Sequence, residues 1–208
     1  MSDTFPTYFE IFSLPAHLVI DLPALEKSFY ALSRRLHPDR FASKSAEEQA
    51  MALAESSRLN DAYRTLKDPI ARTEYLLKLE GVEMEEQSKS ATEAARASGT
   101  AKKQVVPEDL LEEAFELNMQ LEEMRAAKKM GDDDPQLRSD LLAAKGGFDT
   151  RMAAAQAQLE SLWTEWDAAF DAGDASMKAT ARDAMVALLN RRSYLRNLVR
   201  DVNEALES

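Results

Sequence analysis

The 208-residue sequence predicts an all-α protein: a short helical hairpin with flanking helices, followed by an antiparallel three-helix bundle. Apolar residues recur at helical spacing in segment after segment, as amphipathic helices require. Helix punctuation falls at the ends of those segments, with Pro38, Gly81, Pro107 and Gly173 as the clearest marks. In the second half of the chain, three long stretches carry compatible apolar seams, the pattern of helices that bury one stripe each in a common core.

The first helix of the hairpin carries Leu25, Phe29, Leu32 and Leu36 at i, i+4, i+7 and i+11. At about 100° per residue, Lys27 and Arg34 fall nearly opposite this stripe and Arg35 lies toward its flank. Asp21 is placed to cap this helix; His17, in the loop before it, has no role legible in the sequence. The second helix has its own stripe, Ala52, Leu59, Tyr63 and Leu66, with Ser43 or Ser45 available as its cap.

Between the two lie His37, Pro38 and Asp39. Pro38 fixes its own φ and drives His37 out of the α region, so the first helix should end near Leu36. His-Pro-Asp is therefore displayed at the hairpin tip. Asp39 presents an acceptor-only carboxylate between Arg35 and Arg40, suited to an arginine fork from a partner. By itself the tripeptide is also an ordinary turn, with Pro-Asp a common pair and the histidine a simple cap.

A boundary is expected near Gly81, giving a first domain at 1–81, a flexible insertion at 82–106 and a second domain at 107–208. From Glu85 to Gln104 there is no large apolar residue, so the segment cannot bury enough surface to offset its ordering entropy. A transient helix around Thr92 to Ala97 is compatible with its composition.

Pro107, Glu108 and Asp109 suit the start of the next helix. It carries two stripes: Leu110, Ala114, Leu117, Leu121 and Met124 make a coiled-coil-like seam, while Leu111, Phe115 and Met119 form a second one bordered by Glu112, Glu116 and Glu122. A bundle helix needs one broad stripe, so either both are buried between two neighbours or the second is exposed.

The following helix has Leu137, Leu141, Ala144, Phe148, Met152, Ala155, Leu159, Trp163, Trp166 and Phe170 on one seam, with Gly146 and Gly147 loosening or kinking it. After Gly173, Met177, Ala181, Leu188, Leu195, Val199, Val202 and Leu206 are expected to face inward. The Gly131 to Pro135 connection holds Asp132, Asp133 and Asp134 but lacks the spaced ligands and closing glutamate of a calcium-binding loop.

Composition excludes several classes. There is no cysteine, hence no disulfide, thiolate nucleophile or cysteine-ligated metal on this chain, and a reducing compartment suits it. With 26 basic and 37 acidic residues the net charge is −11, which argues against nucleic-acid binding. Residues 1–80 carry 10 basic and 12 acidic side chains, so the first domain is nearly neutral and can present a positive helix face to an acidic protein surface. The N-terminal residues lack the basic and apolar regions of a signal peptide, and no apolar run approaches the roughly 20 residues of a membrane span. The expectation is a cytoplasmic protein with no membrane partner.

The residues around the tip carry a more specific signal. Tyr8-Phe9-Glu10-Ile11-Phe12-Ser13-Leu14-Pro15 precedes the hairpin, and Arg34-Arg35-Leu36-His37-Pro38-Asp39-Arg40-Phe41 spans its tip. Leu59-Asn60-Asp61-Ala62-Tyr63-Arg64-Thr65-Leu66-Lys67-Asp68-Pro69 closes it, and Arg72-Thr73-Glu74-Tyr75-Leu76-Leu77 follows. The chain resembles a J-domain protein, and within that class the HscB co-chaperones of iron–sulfur cluster assembly, of the bacterial type without a cysteine-rich N-terminal extension. The Tyr-Phe start, the Phe-Ala-Ser after the tip and the Glu-Tyr-Leu-Leu end are particular to that branch. Resemblance runs from about Pro6 to Gly81 and resumes more weakly from about Pro107.

The resemblance implies a co-chaperone that is not an enzyme and needs no cofactor. Its J-domain would contact an HscA/DnaK-class ATPase chaperone through Lys27, Arg34, Arg35, His37, Pro38, Asp39 and Arg40, and stimulate its ATPase. Its C-terminal domain would bind an IscU-type iron–sulfur scaffold. The positions matching the family's patch are Leu111, Phe115 and Glu116, with Leu110, Glu112 and Met119 at the margin and Phe148 and Arg151 completing the contact. Glu112 stands where a methionine is common in the family, and Met119 where an acidic residue is common. The exposed stripe is also compatible with weak self-association.

A helical scaffold whose tip is incidental remains open from the sequence, and two further readings stand beside it. One is a general J-domain co-chaperone for other clients, although no Gly/Phe-rich segment or zinc ribbon is present. The other is an enzyme using His37 and Asp39 as an acid–base pair, although adjacent turn residues rarely converge on one atom and no nucleophile accompanies them.

Overall fold

The computed structural model describes residues 5–82, 107–132 and 134–207. Among them are seven α-helices, two short 3-10 turns and no strand: α1 (Tyr8–Ile11), α2 (Leu22–Leu36), α3 (Ala46–Lys67), α4 (Pro69–Leu79), α5 (Leu111–Met130), α6 (Pro135–Ala172) and α7 (Ala175–Glu207). The insertion, including the Thr92 to Ala97 segment, lies outside the described residues apart from Val82, as does Asp133 of the acidic connection. No described helix is long and apolar enough to cross a membrane.

Helix ends follow local chemistry. Thr7 caps α1 and Ser45 caps α3 in reciprocal capping boxes with Glu10 and Glu48. Asp21 and Asp68 accept from the third residue beyond them at the starts of α2 and α4. Asp134 does the same work for α6, taking the Gln136 and Leu137 N–H groups, so one member of the acidic connection is a helix cap. Gly131 (φ 75°) closes α5 and Gly173 (φ 67°) closes α6, both in the left-handed region that favours glycine.

The described residues fall into two compact units. One holds those within 1–84 together with Leu162–Arg182; the other holds those within 85–161 together with Asp183–Ser208. The C-terminal part of α6 and the first turns of α7 thus belong to the same unit as α1 to α4.

In the first unit, Phe9, Leu18, Leu25, Leu59, Leu66, Leu76 and Leu77 are buried along with Trp163 and Trp166. The predicted α2 stripe meets α3, with Phe29 stacked on Tyr63 at 4.1 Å between ring centroids. The indole N–H of Trp163 donates to the Thr73 hydroxyl at 2.9 Å, and that of Trp166 donates to the Ala16 carbonyl at 3.2 Å. Asp167 accepts from the backbone N–H groups of Leu18 (2.7 Å) and Val19 (2.9 Å), and His17 bonds to Asp171 at 2.9 Å. His17 therefore has a structural role that local sequence does not disclose.

The Arg-Thr-Glu-Tyr-Leu-Leu segment also acquires a physical account. Arg72 is buried, donates to the Leu66 carbonyl at 2.5 Å and lies over the Trp163 ring. Burial pushes its pKa down, while the charges of Asp68 and Asp167 hold it up. Tyr75 stacks on Tyr8, and its hydroxyl accepts the Tyr8 N–H at 2.9 Å. Leu76 and Leu77 are fully enclosed in the core.

The second unit has a three-helix core built from Leu117, Leu121 and Met124 of α5, Leu137, Leu141 and Phe148 of α6, and Leu195, Leu198, Val202 and Ala205 of α7, with Leu110 joining from the turn before α5. The α6 helix runs unbroken through Gly146 and Gly147. The expected α7 seam needs correction. Met185, Leu189 and Leu198 are buried, whereas Leu188 is half-buried and Met177 is 53 % exposed; Val199 and Leu206 are partly buried and pack against the core as expected. Met177 extends the Ala181–Met185–Leu189 line into the first turn, where Asp174 caps the helix and the residue is only partly covered.

Candidate functional site

Two surfaces stand out, one in each unit. At the tip of the α2–α3 hairpin, α2 stops at Leu36 and His37 is extended (φ −61°, ψ 127°), after which Pro38–Phe41 forms one 3-10 turn. The His37 ring nitrogen Nδ1 accepts the Asp39 N–H at 3.3 Å, and the same nitrogen is 3.4 Å from the Asp39 carboxylate. It can accept from the backbone only when it carries no proton, in which case the ring's proton sits on Nε2.

The loop is braced from both sides. Arg40 donates to the Arg34 carbonyl at the end of α2 (3.4 Å), and the Gln49 amide donates to the carbonyls of Ala42 and Lys44. The side chains of His37 and Asp39 are nonetheless 55 % and 89 % exposed. Lys27, Arg34 and Arg35 are exposed on α2, away from the α3 contact. The tip is thus a held turn that offers a carboxylate, an imidazole and cations outward. The described turn itself, His37 to Phe41, includes no carboxylate besides Asp39 and no hydroxyl or thiol side chain.

The second surface lies on α5. Its seam residues Ala114, Leu117, Leu121 and Met124 are all buried, while Leu111, Phe115 and Met119 are 52 %, 68 % and 59 % exposed. The surplus stripe is therefore uncovered in this chain, and Glu112 and Glu116 are exposed beside it. Leu110 differs from its neighbours: it is 0 % exposed and belongs to the core, so it offers no side chain to this surface. At about 100° per residue it falls on the seam with Ala114 and Leu117, and core packing claims it.

Beside the stripe, α5 and α6 enclose an open groove of about 250 Å³ lined by Glu113, Glu116, Leu117, Gly147, Phe148 and Arg151 among others. Phe148 is a core residue that contributes to the groove's inner wall. Arg151 is half-buried and holds Glu113 through both guanidinium nitrogens. That bond to the carboxylate raises the arginine's pKa further. Glu113, Gly147 and the groove itself were not legible in the sequence, because a pair 38 residues apart depends on the register of α6 against α5.

The comparisons with known proteins agree with this architecture. No family model matches the chain. Among solved structures, the chaperone HscB from Vibrio cholerae superposes with a TM-score of 0.59 at 27 % identity, covering 97 % of this chain and 98 % of that one. Human co-chaperone protein HscB shares the fold, with a TM-score of 0.56 at 21 % identity, covering 97 % and 82 % of the two chains. The class that these comparisons define is that of an all-helical co-chaperone. The chain is 37 % identical over 171 residues to the co-chaperone protein HscB homologue of Vibrio cholerae, which covers 79 % of this chain and 85 % of that one. It belongs to the HscB family of co-chaperones, which is not a family of enzymes.

Proposed function

We propose that this HscB-family protein is an adaptor that selects an iron–sulfur scaffold of the IscU type as client for an HscA/DnaK-class ATPase chaperone, and so aids maturation of iron–sulfur proteins. The scaffold would dock on Leu111, Phe115 and Met119, with Glu112 and Glu116 at the rim and Phe148 and Arg151 in the adjoining groove. Lys27, Arg34, Arg35 and Arg40 would steer the hairpin to an acidic surface of the chaperone. His37, Pro38 and Asp39 would then bias the chaperone toward its hydrolysis-competent state, a coupling free energy between two sites on the partner. Covalent joining of two modest interfaces raises the effective concentration of client at the chaperone.

The observation that carries this reading is the uncovered Leu111–Phe115–Met119 stripe, on a helix whose other apolar seam already completes a core. A large apolar side chain left exposed at three successive turns of one helix suits a partner surface.

Single-turnover ATP hydrolysis by an HscA- or DnaK-class chaperone, with and without this protein and with and without an IscU-type scaffold, tests it. Synergy between the two additions that disappears with His37→Gln is the expected result. Stimulation without scaffold synergy would leave a co-chaperone for other clients, and no stimulation would reduce the tip to an ordinary turn.

A further inference from the structure

The groove between α5 and α6 has a chemistry that the exposed stripe lacks. Its inner wall is apolar, from Leu117, Ala144 and Phe148, whereas its rim carries Glu113, Glu116 and Arg151. Glu113 and Arg151 neutralise each other. Glu116 is exposed and has no ion-pair or hydrogen-bond partner among the described residues. The groove therefore offers one uncompensated carboxylate above an apolar wall. Its volume, about 250 Å³, falls below the roughly 300–1,000 Å³ usual for small-molecule sites. That size suits a single long side chain.

Gly147 supplies the second observation. Two adjacent glycines within a 38-residue helix weaken it relative to alanine. Packing does not demand either one, since a Cβ at Gly146 or Gly147 would meet nothing within 4 Å, and neither has a left-handed φ. A local rule broken without a packing reason points to function. Gly147 lines the groove and Gly146 does not. A side chain at 147 would occupy the space that a guest needs.

We propose that this groove receives a lysine or arginine side chain of the bound scaffold, its aliphatic stem against Leu117, Phe148 and the bare backbone at Gly147, and its cationic head at Glu116. Long basic side chains bury their stems on apolar surface while keeping the charge at a polar edge. The Glu113–Arg151 pair fixes the far wall and keeps Arg151 from neutralising Glu116. The inference rests on the scaffold-binding reading above and adds to it a specific contact.

The test uses the full chain and a purified IscU-type scaffold, with affinity measured calorimetrically at two salt concentrations. Gly147→Leu should weaken binding about tenfold, the scale of one anchor contact, while Gly146→Leu leaves it unchanged. Both substitutions replace glycine by a better helix former, so circular dichroism should show intact helices in each. Glu116→Gln, a surface change that cannot unfold the bundle, should weaken binding several-fold and reduce its salt dependence. Equal loss from Gly146→Leu and Gly147→Leu would overturn the groove. Loss with Gly147→Leu but none with Glu116→Gln would overturn the cationic guest. If Leu111→Ala with Phe115→Ala abolishes binding while the groove variants do not, the groove proposal fails and the scaffold reading stands. If none of these variants alters binding, both fail.

Discussion

His37 and Asp39 bond to each other across a single proline, and both side chains remain open to solvent. Their substitution should therefore leave the fold untouched, because no core contact depends on them. Asp39→Asn or His37→Gln is expected to abolish stimulation of the chaperone's ATPase while scaffold affinity and thermal melting stay at wild-type values. Loss of scaffold binding in either variant would contradict the assignment of separate sites. On α5 the relevant side chains are Leu111 and Phe115, neither of them part of the core. Leu111→Ala combined with Phe115→Ala should weaken scaffold binding by about 2 kcal/mol or more, the usual size of a hot-spot loss. Unchanged circular dichroism would accompany that loss; a molten bundle would mean that the stripe is core.

Helices here begin where short-range chemistry allows them to. In α1 and α3 the capping carboxylates of Glu10 and Glu48 have pKa values held below the ordinary 4.5, first by the backbone N–H of Thr7 or Ser45 and then by its hydroxyl. A depressed carboxylate contributes stability above its unfolded pKa, and that contribution is lost as pH falls through the folded value. The difference in thermal stability between wild type and Glu48→Ala should thus be present at pH 7 and shrink below about pH 4.5. A difference that did not shrink at all as pH fell below 4.5 would show that Glu48 acts by packing and not as an ionised cap. Because α3 begins at the end of the tip loop, fraying of this cap also loosens Gln49, whose amide braces that loop.

At the scale of the whole molecule, one division falls at Met84/Glu85, close to the change of composition after Gly81, while the others fall inside α6 and α7, where the sequence shows no change of character. Trp163, Trp166, Asp167 and Asp171 are remote in sequence from α1 to α4 yet complete the same compact unit. Asp167→Ala would leave the Leu18 and Val19 N–H groups without their acceptor, Leu18 being fully buried. The expected cost is about 1–3 kcal/mol, read as a lowered melting temperature with chaperone-contact residues untouched. A fragment ending at Gly81 would lack both tryptophans, and should melt at lower temperature than the full chain and bind a hydrophobic dye. An equally stable fragment would show that Leu162–Arg182 adds nothing to that unit.

Periodicity and capping were enough to determine the all-α class, the end of α2 before Pro38, the outward display of His37 and Asp39, and the double stripe of α5. Each depends on residues within about four positions of one another, where φ restrictions, hydrogen bonds and the 3.6-residue period act directly. The family was legible for a related reason, since its motifs are short contiguous runs, from Tyr8-Phe9 through His37-Pro38-Asp39 to Glu74-Tyr75-Leu76-Leu77. Tertiary structure decided the rest. It determined which α5 stripe was covered, because that depends on where α6 and α7 lie and not on α5 itself. It exposed Met177, gave His17 a partner in Asp171, and set Glu113 against Arg151 to shape the groove. Those contacts join residues 38 to 154 positions apart, and spacing along a chain carries no information about them until packing has chosen the register.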